Sequence, residues 1–122
     1  MHRIVVVEDD PSVATVMATF LRACGYEVRV AGRLSEARQL LHEATPALVI
    51  ADEQLPDGMG SDLLRTLATT MPAVGRMLLT ASTSPDHGAL PAGTLVRHKP
   101  WDVAEAQSTL VAILGRPGDR SR

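Results

Sequence analysis

The sequence predicts an α/β protein: one parallel, five-stranded sheet with helices on both faces, a three-layer (βα)5 arrangement. Short aliphatic runs alternate along the chain with segments whose apolar residues recur at helical spacing. Strands that alternate with helices in this way form a doubly wound sheet with right-handed crossovers. The 122 residues are the length of one such domain, and no internal repeat or linker divides them.

The predicted strands are short and rich in branched aliphatic residues. Residues 4–7 are entirely β-branched, which is typical of a strand buried on both faces. The others cover residues 26–30, 47–51, 76–80 and 95–97. All five runs are shorter than an average helix, which favours the strand assignment.

The helices between these strands are bounded by residues that favour helix ends. Asp10, Ser35 and Asp102 are candidate N-caps. The first three helices are expected to end near Gly25, Pro46 and Pro72, because glycine terminates helices and the residue before a proline avoids the α region.

The segment between the fourth and fifth strands departs from the pattern. A helix is due over residues 82–93, but Pro85, Gly88, Pro91 and Gly93 interrupt the segment. We therefore expect the fourth helix to be short, with at most one or two turns over residues 85–90, or disordered.

Composition restricts the function classes. A net charge of -2 and only three aromatic residues argue against direct nucleic-acid binding. The single cysteine, Cys24, excludes an intramolecular disulfide and fits a reducing cytoplasm. No apolar run reaches the length of a membrane span, and the N-terminus lacks a signal peptide, so a cytoplasmic location without membrane attachment is expected.

Residues with polar side chains stand at or just after the carboxyl ends of four predicted strands. Because the carboxyl ends of parallel strands share one edge of the sheet, these residues are expected to lie at the same edge. The residues concerned are Glu8, Asp9, Asp52, Thr80 and Lys99. Taken singly, such residues are more often turn formers or solvated side chains. Together they indicate a binding or catalytic site at this edge.

These residue types suit phosphoryl chemistry. Clustered carboxylates repel one another unless a cation lies between them, and hard oxygen ligands favour Mg²⁺. A carboxylate such as Asp52 can also be a nucleophile that forms an aspartyl-phosphate. Thr80 and Lys99 could then neutralise and hold the phosphoryl oxygens.

With these residues in place, the chain resembles the receiver domain of bacterial two-component response regulators over residues 3–114. The matching motifs lie at residues 5–11, 50–52 with 55–60, 78–81 and 99–101. The resemblance implies a flavodoxin-like fold with strand order 2-1-3-4-5. We expect the receiver domain over residues 1–115 and a polar tail or linker stub over residues 116–122.

The resemblance also implies roles. Asp52 would accept a phosphoryl group from a histidine kinase or phosphotransfer protein, and Thr80 and Lys99 would contact it. Glu8, Asp9, Asp52 and the Gln54 backbone carbonyl would hold Mg²⁺, directly or through water. Asp10 lies one place beyond the acidic pair and is expected to be a helix cap. The Lys99–Pro100 bond is often cis in this family.

One departure concerns the output of the switch. The family often carries an aromatic residue on the fifth strand that moves with the threonine, and Val96 stands there. The common output face, made by the fourth helix, fifth strand and fifth helix, is therefore not expected to work in the common way. No output domain fits after Leu114, so the expected partner is an unknown output protein, or an output domain if this is one part of a longer chain. Formation of a dimer on phosphorylation is also consistent with the sequence.

Two alternatives remain open. A pseudo-receiver would be a protein–protein binding module of the same fold that is never phosphorylated, as the valine at position 96 weakly suggests. A phosphatase with an aspartyl nucleophile is less favoured, because such enzymes commonly need an acid where Gln54 stands. We therefore expect a signalling domain that catalyses only its own phosphoryl transfer and dephosphorylation.

Overall fold

The computed structural model describes residues 2–81 and 89–115. The elements, in chain order, are β1 Arg3–Val7, α1 Pro11–Ala23, β2 Glu27–Ala31, α2 Leu34–Glu43, β3 Leu48–Asp52, β4 Gln54–Leu55, β5 Gly58–Met59, α3 Gly60–Thr70, β6 Gly75–Thr80, β7 Leu95–His98 and α4 Val103–Leu114. Within these residues the main sheet has the order β2-β1-β3-β6-β7 with every neighbouring pair parallel. Counted along the chain, its strands are in the order 2-1-3-4-5, so the predicted doubly wound fold is confirmed.

Both faces of the sheet are buried, which explains the uninterrupted aliphatic runs. Alternate residues of β1 enter two separate cores, Val5 and Val7 on one face and Ile4 and Val6 on the other. The first core contains residues of α2 and α3, and the second contains residues of α1 and α4. A strand with a helical layer on each side has no solvent-facing positions, so it shows no polar alternation.

Two of the predicted helix caps are confirmed. The Asp10 carboxylate accepts hydrogen bonds from the backbone N–H groups of Ser12 and Val13, at 2.9 and 3.3 Å. The Asp102 carboxylate accepts one from the Glu105 N–H, at 3.0 Å. Both caps satisfy donors that the first turn of a helix leaves without an intrahelical partner.

The cap expected at Ser35 is wrong. Helix α2 begins at Leu34, two residues earlier than a cap at Ser35 implies, and its N-cap residue Arg33 makes no side-chain capping bond. Instead the Asp57 carboxylate accepts hydrogen bonds from the N–H groups of Leu34 and Ser35, at 2.7 and 3.0 Å. An acceptor that is distant in sequence but close in space has replaced the local one.

The connection after β3 contains an element that was not predicted, because β4 and β5 form a small antiparallel hairpin. Tyr26, expected to begin the second strand, immediately precedes β2 and is buried. Residues 89–94 contain neither helix nor strand. Most of the segment where a short or disordered fourth helix was expected, residues 82–88, lies outside the described residues, as does the expected tail at 116–122.

Two further observations concern the chain as a whole. The Lys99–Pro100 peptide bond is cis, as the resemblance suggested. None of the helices in the described parts of the chain combines the length and the apolar character that spanning a membrane requires.

Candidate functional site

The acidic side chains at the carboxyl edge of the sheet form one cluster. Glu8 and Asp9 follow β1, and Asp52 ends β3, which is the parallel neighbour of β1. One carboxylate oxygen from each of the three residues lies within 4.8 Å of the others. Glu8 is 3% exposed, Asp52 is partly buried and Asp9 is exposed, so the cluster extends from the interior to solvent.

Lys99 brings a cation to this cluster from a distant part of the chain. Its Nζ lies 2.7 Å from Glu8 Oε1 and 3.3 Å from Asp52 Oδ1. The Lys99 N–H donates to the Thr80 carbonyl at 3.0 Å, and this bond fixes the start of the loop after β7 against the end of β6. Thr80 is itself buried at the end of β6. The structure thus gathers the predicted Glu8, Asp9, Asp52, Thr80 and Lys99 at one edge.

Burial and charge act in opposite directions on the ion pair. Burial raises the pKa of Glu8 above its ordinary value, and the hydrogen bond from Lys99 only partly offsets this. Burial alone would lower the pKa of Lys99, but the hydrogen bond to Glu8 and the charge of Asp52 outweigh it, so the pKa of Lys99 is raised. The lysine therefore stays charged at neutral pH, beside a carboxylate that is costly to ionise.

The cluster fits a divalent cation. Neighbouring ligand oxygens around Mg²⁺ lie about 3 Å apart, and small rotations would bring oxygens within 4.8 Å to that spacing. Glu8 is already oriented, because its Oε2 accepts a hydrogen bond from the Asp10 N–H at 3.2 Å. Exposure of Asp9 leaves room for the waters that Mg²⁺ retains.

The hairpin register indicates which way the Gln54 carbonyl faces. Gln54 pairs with Met59, and the Gly60 N–H donates to the Glu53 carbonyl just before that pair. Bonded and non-bonded pairs alternate in an antiparallel ladder, so Gln54 and Met59 form a non-bonded pair. The Gln54 carbonyl therefore points away from its hairpin partner, as a metal ligand requires.

The backbone at the phosphoacceptor candidate is closely packed against α3. A Cβ atom added at Gly60 would collide with the Asp52 carbonyl oxygen and lie 3.2 Å from the Ala51 Cβ. The Gly60 N–H donates to the Glu53 carbonyl at 2.9 Å, and the Glu53 N–H donates to the Leu79 carbonyl at 3.0 Å. Asp52 is thus held between β6 and the start of α3.

Sequence reasoning missed two carboxylates in this loop. Glu53 is 6% exposed, and its Oε1 accepts a hydrogen bond from the Ser61 N–H at 2.8 Å. Asp57 caps α2. The only available signal was an acidic residue in a loop that precedes a helix, which does not identify the helix that receives the cap.

Val96, where an aromatic switch residue was expected in this family, is partly buried. It packs against the core under α2 and α3, as Leu90 does. The side chain is thus part of the packing of the sheet face rather than a surface group.

The fold and this arrangement have clear counterparts. Residues 4–93 match the family described as response regulator receiver domain. The DNA-binding response regulator MtrA of Mycolicibacterium smegmatis is 40% identical over 82 residues, which are 67% of this chain and 36% of MtrA. The transcriptional regulatory protein ZraR of Klebsiella oxytoca is 33% identical over 114 residues, 91% of this chain and 26% of ZraR.

A solved structure agrees with these sequence matches. The non-phosphorylated HemR receiver domain of Leptospira biflexa superposes with a TM-score of 0.78 and 27% identity, over 100% of this chain and 99% of that one. The chain spans half or less of the length of the curated relatives. Because the family match covers most of the sequence, the chain belongs to the response regulator receiver domain family of two-component signalling.

Proposed function

We propose that Asp52 accepts a phosphoryl group from a phosphohistidine, on a histidine kinase or a phosphotransfer protein, in a Mg²⁺-dependent reaction. The observation that carries the proposal is the convergence of Glu8, Asp9 and Asp52 with the Lys99 ammonium group, which reaches both Glu8 and Asp52. Carboxylate nucleophile, cation site and lysine are the parts that such a transfer needs.

Asp52 is the proposed nucleophile. It ends β3 at the open edge of the sheet, and 12% of its side chain is exposed, so a donor can reach it. Its backbone is held against β6 and α3, which limits the reorientation needed before attack. In the transfer, an Asp52 oxygen bonds to phosphorus as the phosphorus–nitrogen bond of the donor breaks.

Glu8, Asp9, Asp52 and the Gln54 carbonyl are the proposed ligands of Mg²⁺. The bound ion would neutralise charge on the phosphoryl oxygens during transfer. Glu8 and Asp9 would be held close together by the end of β1, and the exposed side of Asp9 would be open to water ligands.

Thr80 and Lys99 are proposed to contact the phosphoryl group and to move when Asp52 is phosphorylated. A phosphoryl group adds about 1.5 to 2 negative charges at Asp52. Lys99 already lies 3.3 Å from Asp52, so it can turn towards the new oxygens with a small movement. Because the Thr80 carbonyl is bonded to the Lys99 N–H, the ends of β6 and β7 would respond together.

The wider setting is also proposed. Residues 1–115 would form a cytoplasmic receiver domain that turns over only its own phosphoryl group, followed by the tail at 116–122. Its partner would be an output protein or an output domain outside this sequence, and phosphorylation would favour a dimer. MtrA is a DNA-binding response regulator. The net charge of -2 nevertheless argues against direct nucleic-acid binding by the residues of this sequence.

A pseudo-receiver is the second candidate. The observation in its favour is Val96, a partly buried residue that packs against the core beneath α2 and α3 where the family often has a switch aromatic. In that case the fold would bind a protein partner without being phosphorylated.

Beryllofluoride with Mg²⁺ separates the two candidates, since it mimics an aspartyl-phosphate. Trp101, the one tryptophan of the chain, lies two residues after Lys99 and should report binding through its fluorescence. We expect a saturable change in the wild type and none in Asp52→Asn. The binding module would be the better description if two results were obtained. The wild type would show no fluorescence change that depends on Asp52, and a small-molecule phosphodonor would yield no phosphoprotein.

A further inference from the structure

We propose that Glu53 is a positioning residue: its buried carboxylate holds the tip of β3 so that Asp52 and the Gln54 carbonyl face the cation site. This inference rests on the proposed function, because it concerns the same site. It adds a residue that none of the sequence predictions assigned.

Glu53 joins three elements at one point. Its N–H donates to Leu79 of β6, and its carbonyl accepts from the Gly60 N–H. Its Oε1 accepts from the Ser61 N–H at 2.8 Å in a buried position. One residue therefore binds the tip of β3 both to the neighbouring strand and to the first turn of α3.

The side chain supplies a cap that the local sequence lacks. Met59, the N-cap residue of α3, makes no side-chain capping bond. The Ser61 N–H would otherwise be a buried donor without an acceptor, and such groups are costly. A carboxylate also interacts favourably with the partial positive charge at the start of a helix.

The buried carboxylate is not explained by general packing. Glu53 is 6% exposed, and its Oε2 is buried without a hydrogen-bond partner in the described parts of the chain. An acidic group with one unsatisfied oxygen reduces stability relative to an apolar side chain unless its other interactions compensate. The bond to Ser61 is the interaction that gives this carboxylate a function.

The residues before and after Glu53 in sequence are the ones that act at the site. Asp52 carries the acceptor carboxylate, and Gln54 carries the carbonyl proposed as a metal ligand. Gly60 lies directly against the Asp52 carbonyl and donates to the Glu53 carbonyl, so the start of α3 and the tip of β3 are coupled. Loss of the Glu53 carboxylate should therefore change the geometry of two proposed ligands at once.

The test compares Glu53→Ala with Glu53→Gln. Glutamine keeps an oxygen that can accept from Ser61, whereas alanine keeps none. Mg²⁺ is titrated at a temperature well below unfolding, and binding is followed by Trp101 fluorescence and by the NMR amide signals of Gln54 and Gly60. We expect Glu53→Ala to lose about tenfold in Mg²⁺ affinity, as removal of groups that orient metal ligands commonly does, and Glu53→Gln to retain most of it.

Asp57→Ala is the matched control. Asp57 lies in the same loop and also caps a helix N-terminus through its carboxylate, but the helix is α2. We expect this variant to lower the unfolding midpoint while leaving the affinity for Mg²⁺ unchanged. A merely structural role for Glu53 would make Glu53→Ala behave in the same way.

The outcomes are distinguishable. If the wild type binds Mg²⁺ and Glu53→Ala binds it equally well, the positioning role is overturned and the proposed function stands. If Glu53→Gln is as weak as Glu53→Ala, the bond to Ser61 is not what matters, and the inference again fails. A wild type that does not bind Mg²⁺ refutes the proposed function, and the positioning role with it.

Discussion

Replacement of Gly60 by alanine tests how closely α3 is packed against the phosphoacceptor. A Cβ at this position would collide with the Asp52 carbonyl oxygen, lie 3.0 Å from the Asp52 carbonyl carbon and lie 3.2 Å from the Ala51 Cβ. Two of these three atoms belong to the backbone, which cannot move aside as a flexible side chain can. The substitution therefore has to shift either the start of α3 or the tip of β3.

The expected magnitude follows from two opposing effects. Alanine is favoured over glycine inside a helix by up to about 1 kcal/mol. Insertion of a methyl group into a close-packed region costs about 1 to 3 kcal/mol. Because the contact is with backbone, we expect a net loss of about 1 to 2 kcal/mol, which lowers the melting temperature of a domain of this size by several degrees.

The functional effect should be larger than the stability effect. Relief of the collision requires a displacement of about 1 Å, and a misplacement of this size can reduce a rate about 100-fold. Urea unfolding measures the stability, and phosphorylation by a small-molecule donor measures the rate. Gly32→Ala is the control, because a Cβ there would meet only Glu36 Oε1 at 3.5 Å. A Gly60→Ala protein as stable and as rapidly phosphorylated as Gly32→Ala would refute the reasoning.

Three further predictions concern charge. Lys99→Met leaves Glu8 buried without its cation, so we expect a loss of about 1 to 3 kcal/mol in urea unfolding at neutral pH. Because burial raises the pKa of Glu8, the loss should become smaller as the pH is lowered and Glu8 is protonated. A loss that does not change with pH would contradict this. The hydrogen bond from the Leu34 N–H lowers the pKa of Asp57. The Asp57 carboxylate therefore stabilises the folded state above its unfolded-state pKa, and this stabilisation is lost as the pH falls through its folded-state pKa. Asp57→Asn should therefore flatten the acid limb of the stability curve, and an unchanged acid limb would count against the cap. Asp52→Asn removes one charge from the acidic cluster, so in metal-free buffer we expect a melting temperature at or above that of the wild type. Addition of Mg²⁺ should raise the melting temperature of this variant less than that of the wild type. An equal rise in both proteins would show that the ion binds elsewhere.

Much of the fold could be predicted because its signals are local. The β-branched run at residues 4–7 requires a strand, and burial on both faces removes any polar alternation from it. Asp10 and Asp102 cap the helices that directly follow them, within reach of their own side chains. The edge that gathers Glu8, Asp52 and Lys99 follows from the parallel direction of the strands, which the helical connections between them impose.

The contacts that hold the site together join residues that are distant in sequence and meet only in the folded structure. The sequence motif at residues 55–60 supported the resemblance, but it did not indicate that Asp57 would cap α2 or that Glu53 would cap α3. Likewise the chemistry of Lys99 could be anticipated, whereas its 2.7 Å contact with Glu8 depends on how β7 is placed beside β6. Sequence alone determined which chemical groups reach this edge of the sheet, because the alternation of strands with crossover helices along the chain makes the strands parallel. Tertiary packing alone decided how the acceptor loop is anchored, because hydrogen-bond partners many residues apart are selected only when the helices and the sheet come together.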